Sequence, residues 1–113
     1  MPIVWNENEI ILPTAAAVDI VPAPAAGETQ IIGKEAISIF NPNTGNVTVT
    51  ISKENSAGPV TTRSEKILIP RGQTATNSTR LVSAATTKSI QVKLDASPTL
   101  PVEVQVFFGT HTP

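Results

Sequence analysis

Apolar and polar residues alternate one by one through much of this chain. The clearest stretch is 47–53, where Val47, Val49 and Ile51 alternate with Thr48, Thr50 and Ser52. A period of two sends successive side chains to opposite faces, so this stretch predicts a strand with its aliphatic face buried and its hydroxyls in water. The pattern recurs at 89–95, with Ile90, Val92 and Leu94 inward. It recurs again at 102–108, with Val102, Val104, Val106 and Phe108 on one face and Glu103 on the other. Shorter apolar runs at 9–12, 17–21, 30–32, 36–40 and 65–69 predict further strands, and the Thr/Ser-rich stretch 76–82 one more. No segment sustains a period of 3.6 residues; 81–88 has room for one brief helical turn.

Turn residues divide these runs. Asn41-Pro42-Asn43-Thr44-Gly45-Asn46 is the strongest turn: Pro42 presets φ, and Asn43, Gly45 and Asn46 tolerate φ > 0, which predicts a hairpin between 36–40 and 47–53. Gly33, lacking a Cβ, permits a bulge that would make 30–40 one long bent strand. Pro70-Arg71-Gly72-Gln73 is a second turn, 54–63 an exposed loop, and 22–27 an extended connector. The sum is an all-β fold: an antiparallel β-sandwich, immunoglobulin-like or jelly-roll-like, of about seven or eight strands. The expected division is an N-terminal arm with short edge strands over 1–26, bounded by Pro13 and Pro22, and a single sandwich over 27–113.

Composition supports that reading: Ile, Val and Thr make up 38 of the 113 residues, and β-branched residues suit pleated surfaces. Eight basic and nine acidic residues give a net charge of −1, and no sign-biased field for a nucleic-acid backbone or an anionic membrane. The first residues have neither the basic nor the apolar region of a secretory leader, and no apolar run approaches the roughly 20 residues of a membrane span. The expectation is a soluble protein, complete from Met1 and made in the cytoplasm.

The chemistry available is sparse. With no cysteine, disulfides, thiolate metal sites and cysteine nucleophiles are excluded. His111, the sole histidine, lies where chains fray, which makes it a poor general base. The carboxylates are scattered over strand exteriors and loops, with no metal-binding spacing, and the glycines at 27, 33, 45, 58, 72 and 109 are isolated and read as turn residues. Two sequons, Asn46-Val47-Thr48 and Asn77-Ser78-Thr79, read as chance matches. The expectation is therefore no catalytic residue, no cofactor and no metal, in a protein that is not an enzyme.

Two features ask for more. The segment through Leu12 concentrates Ile3, Val4, Trp5, Ile10 and Ile11, which suits either an ordinary first strand or an arm docking on a neighbouring subunit with Trp5 as its anchor. Charged residues are only 15% of the chain, and the Thr, Ser and Asn that replace them suit wet interfaces as well as outer strand faces. Among the aromatics, Phe40 and Phe108 read as core and Phe107 as exposed.

From residue 27 to 108 the order of features resembles small β-sandwich proteins of tailed-bacteriophage virions. The resemblance is carried by "ISIFNPNTGN" running into "VTVTISKEN", then "ILIPRGQTAT", "LVSAATTKSIQVKLDA" and "VEVQVFF". It implies a capsid decoration (cement) protein, or another head or tail accessory protein, with no catalytic residues. The implied location is the capsid surface of the virion, and the implied partner the major capsid protein, with the chain a dimer or trimer because an exposed sheet edge in so small a sandwich needs covering. Contact is expected from Ile3, Val4, Trp5 and Phe107, and from the 54–63 loop. The alternative is an immunoglobulin-like module of a tail or fibre that recognises a host-surface glycan or protein. The N-terminal stretch, with its Pro-bounded pieces, departs from the resemblance.

Overall fold

Each alternating run becomes a strand whose aliphatic face turns inward. The computed structural model describes residues 3–54, 62–78, 81–83 and 89–112. Among these, the chain forms ten strands: β1 (Ile3–Leu12), β2 (Val18–Val21), β3 (Thr29–Ile32), β4 (Ile37–Phe40), β5 (Val47–Glu54), β6 (Thr62–Ile69), β7 (Thr74–Thr76), β8 (Leu81–Ser83), β9 (Ile90–Leu94) and β10 (Val102–His111). All pairings are antiparallel.

The strands build two sheets. In the first, β10 is central: β1 runs along one side of it, and β4 and then β3 along the other, with β7 outside β4 and β8 outside β3. The second sheet has the order β2-β9-β5-β6. Because β3 with β4, and β7 with β8, each continue one line, the ten segments occupy eight rows. First pairs with last throughout: β1 with β10, β2 with β9, β3 and β4 with β8 and β7, and β5 with β6. That is a long hairpin rolled into two layers, the jelly-roll arrangement. An immunoglobulin order would pair more sequence-adjacent strands within one sheet; among the described residues only β5 and β6 do so.

Between the sheets lies one apolar core. Ile37 and Ile39 of β4, Val49 and Ile51 of β5, Ile90, Val92 and Leu94 of β9, and Val102, Val104, Val106 and Phe108 of β10 are all buried. Full burial of side chains of this size contributes about 1.5–3 kcal/mol each. Leu12, Ile20 and Val21 belong to the same cluster, so the first 21 residues supply both an edge strand to each sheet and part of the core. Asn8 Nδ2 donates to the Ile20 carbonyl at 3.3 Å, tying β1 to β2.

Several expectations change. The hairpin over 41–46 is not one: β4 lies in the first sheet and β5 in the second, so the turn is an arch between layers. Asn41 and Asn43 act through their side chains, and no residue of the turn has a left-handed backbone. Asn41 is fully buried and its Nδ2 donates to the carbonyls of Gly45 (2.9 Å) and Ile69 (3.0 Å), while its Oδ1 accepts from Asn43 N and Nδ2. Asn43 reaches on to Leu100, donating to its carbonyl at 3.0 Å and accepting from its N–H at 2.7 Å. Positive φ occurs elsewhere, at Gly27, Glu35 and Gly72. At Gly72 it serves the expected turn, closed by Gln73 N–H donating to the Pro70 carbonyl at 3.1 Å.

The bend near Gly33 is present, since β3 and β4 follow one another along β10. Asn77 pins it: Oδ1 accepts from Ile37 N at 2.8 Å, Nδ2 donates to the Gly33 carbonyl at 2.9 Å, and the Asn77 carbonyl accepts from Glu35 N at 2.9 Å. The Asn77 N–H still donates to the Ile37 carbonyl at 3.2 Å, but the reciprocal Ile37 N–H goes to the side chain, so the regular ladder ends there and the strand expected over 76–82 divides into β7 and β8. Being fully buried, Asn77 is closed to glycosylation in the folded chain. Phe40 is not core. Ile37 and Ile39 point inward, so parity sends Phe40 outward, where it is 36% exposed. The first strand spans 3–12, not 9–12, because β10 offers it a partner at every position. Residues 81–83 are strand, not helical turn; 84–88 and most of the 54–63 loop lie outside the described residues.

Candidate binding face

On β1 and β10 the odd-numbered side chains point away from the core, as their burial pattern shows. The register sets Ile3 beside His111, Trp5 beside Gly109, Glu7 beside Phe107, Glu9 beside Gln105 and Ile11 beside Glu103. The outer face of the first sheet therefore has an apolar end and an acidic, amide-bearing middle.

At the apolar end, Trp5 and Phe107 stack with ring centroids 5.1 Å apart and planes 6° from parallel. They remain 53% and 48% exposed. Such a pair is worth about 0.5–1.5 kcal/mol beyond its area. It is made possible by Gly109: a Cβ there would lie 2.7 Å from Ile3 Cγ2 and 2.9 Å from Trp5 Cζ3. Gly109 is thus no turn residue. It is the floor under Ile3 and Trp5, the close-approach use of a strand glycine.

Beyond this ledge two shallow depressions of about 240 and 230 Å³ share Glu103 and Gln105. Glu9 and Ile11 line the first; Ser38, Phe40 and Thr74 line the second. Gln105 Nε2 donates to Glu9 Oε1 at 3.3 Å. A larger cleft of about 310 Å³ lies between the 41–46 arch and the turn at 95–99, but its walls are turn residues whose polar groups largely serve the arch itself.

Of the residues singled out from sequence, Ile3, Trp5 and Phe107 come together on one face. Val4 is exposed but projects from the opposite side of β1, as alternation requires. The 54–63 loop, also expected to make contact, lies largely outside the described residues. Sequence reasoning missed Gly109, Gln105, Glu9 and Phe40 as members of this face, and had Ile11 only as one apolar residue of the docking arm. A glycine inside an alternating strand was the available signal for the first; the rest required the register.

His111 lies within the sheet and not in a loose tail. It is the last residue of β10, paired with Ile3 on one side and Thr29 on the other. Among the described residues no three His, Asp or Glu side chains are grouped to hold a metal ion. No protein-family model matches the chain, and no curated protein matches it.

Proposed function

We propose that this chain is a bacteriophage capsid decoration protein that acts by attachment, binding the major capsid protein on the virion surface and stabilising the head. The observation that carries the reading is the exposed Ile3–Trp5–Phe107 ledge on a rigid two-layer body. Exposed aromatics with their backbone fixed in a sheet make effective anchors, because little ordering entropy is lost when they bind. The mechanism is multivalent: many copies bridging neighbouring capsid subunits add weak contacts into strong resistance to internal DNA pressure. Association of copies into dimers or trimers on the particle belongs to the same proposal. No bond is made or broken by this chain, and a hydrolytic activity that disappears in His111→Ala would overturn that part.

The test is direct. Added to purified, expanded particles that lack it, the protein should bind in stoichiometric numbers and raise their melting temperature; absence of binding would remove the reading. Deletion of residues 1–8 should abolish binding while the remaining sandwich stays folded.

A second reading has its own observation. The Trp5–Phe107 stack lies on the same face as Gln105 and Glu9, a pairing of aromatic surface with amide and carboxylate that suits a sugar. A tail or fibre module recognising a host-surface glycan would use it, and reproducible hits on a glycan array would favour this reading. Jelly rolls are frequent in both capsid and lectin domains, an analogy of fold that decides between neither.

A further inference from the structure

Among the described residues, no strand pairs with the side of β1 that faces away from β10. Phe107 N–H donates to the Ala36 carbonyl at 3.0 Å, so the odd residues of β10 direct their backbone groups toward β3 and β4. The even residues of β10 then serve β1, and in this register they meet even residues of β1. What remains on β1 is the odd set: Ile3, Trp5, Glu7, Glu9 and Ile11 direct N–H and C=O outward, with no partner among the described residues.

Natural edges are usually guarded by proline, lysine, a bulge or short length. This one is ten residues long, is in unbroken register with β10, and contains no proline, lysine or arginine. The only charges on it are Glu7 and Glu9, and the neighbouring outward charge on β10 is Glu103. A second copy is a poor occupant. The two longest antiparallel registers of β1 against itself would set Glu7 opposite Glu7, or opposite Glu9, and like charges directly opposite destabilise a pair.

We propose that β1 takes up an extended basic segment of a partner protein by strand addition, with lysine or arginine at two alternate positions facing Glu7 and Glu9 and apolar residues at the next alternate positions facing Trp5 and Ile11. Main-chain bonds supply the attachment and the alternating side chains the selectivity. The inference deepens the attachment reading above, in which the segment belongs to the capsid protein.

The probe is a synthetic peptide with lysine at two alternate positions, flanked by valine at the next alternate positions and threonine between. Added to the full chain, it should slow hydrogen exchange of the Trp5, Glu7 and Glu9 amides by about tenfold or more, while a peptide with glutamate for lysine should not. Glu7→Pro removes one outward donor and leaves the β1–β10 bonds intact, so it should abolish capture. If that variant loosens β1, the double variant Glu7→Lys with Glu9→Lys keeps every donor and should reverse the preference to the acidic peptide. Unchanged exchange with the basic peptide overturns the proposal. So does concentration-dependent protection of the same amides without peptide, which would assign the edge to a second copy. Capture of the peptide by a protein that leaves expanded particles bare supports the edge and removes the capsid reading. Particle binding that survives Glu7→Pro, with these amides still exchanging fast, overturns the edge and keeps the capsid reading.

Discussion

The two outer faces of this sandwich are built by the same alternation and end up with different chemistry. On the second sheet the register aligns Lys66, Thr50 and Lys93 in one row, and Ser64, Ser52 and Gln91 in the next. Lys66 pairs with Asp95 at 3.4 Å, and both side chains are largely in water. The face is hydroxyl-rich and locally charge-balanced; Leu68 is its one large exposed aliphatic among the described residues. On the first sheet, Ile3, Ile11, Phe40 and the Trp5–Phe107 stack share the surface with Glu7, Glu9 and Glu103. One face is ordinary solvated strand exterior. The other carries exposed apolar area next to acid and an edge that no described residue pairs, the combination expected of a surface that meets a partner.

The contrast can be broken most severely at Trp5. Trp5→Ala should weaken particle binding by about 2 kcal/mol or more, roughly thirtyfold or greater, the scale of an interface anchor, as read by sedimentation with particles. Its cost to folding should be smaller, since half the ring is in water. Unchanged binding would mean that the ledge only holds β1 in register.

Asn77→Ala comes next and concerns the scaffold under that face. It leaves the Ile37 N–H without its acceptor and the Gly33 carbonyl with only the Ala36 N–H at 3.3 Å, and should destabilise the protein by about 2–3 kcal/mol in urea unfolding. A loss near zero would show that water replaces the side chain.

Gly109→Ala tests the floor directly. Something must move to clear Ile3 and Trp5, at a cost of about 1–3 kcal/mol, and the fluorescence of the lone tryptophan should change as its stack with Phe107 opens. An unaltered spectrum and midpoint would contradict the packing described. The smallest effect is expected on the opposite face: Lys93→Ala should shift stability by no more than about 0.5 kcal/mol and leave particle binding unchanged. A binding defect there would move the interface to the second sheet.

Much of the architecture was legible before any coordinates. Val49, Ile51, Ile90, Val92, Leu94 and the β10 aliphatics announced their inward faces by period-two spacing alone, because that spacing is fixed by backbone geometry. Applied strictly, the same rule also places Phe40 outside, since Ile37 and Ile39 already occupy the inner positions; reading it by hydrophobicity put it in the core. The failed hairpin has a different cause. A Pro-Asn-Gly turn signals that the chain reverses, but whether the next strand pairs beside the last or crosses to the other sheet depends on partners far away in sequence. Here those partners are Leu100 and Ile69, which accept or donate the hydrogen bonds of Asn43 and Asn41.

The candidate face was legible only in fragments: Trp5 and Phe107 stood out as aromatics with no obvious core role, while Gly109, Gln105 and Glu9 did not. Their relation exists only once residue 5 lies opposite residue 109, a contact between the two ends of the chain that no local pattern encodes. The sequence by itself therefore determined the strands, their inward faces and the scarcity of reactive groups, since each follows from a residue and its near neighbours. Tertiary structure alone decided the jelly-roll order, the stack over Gly109 and the exposed edge of β1, because those depend on which distant strands share hydrogen bonds.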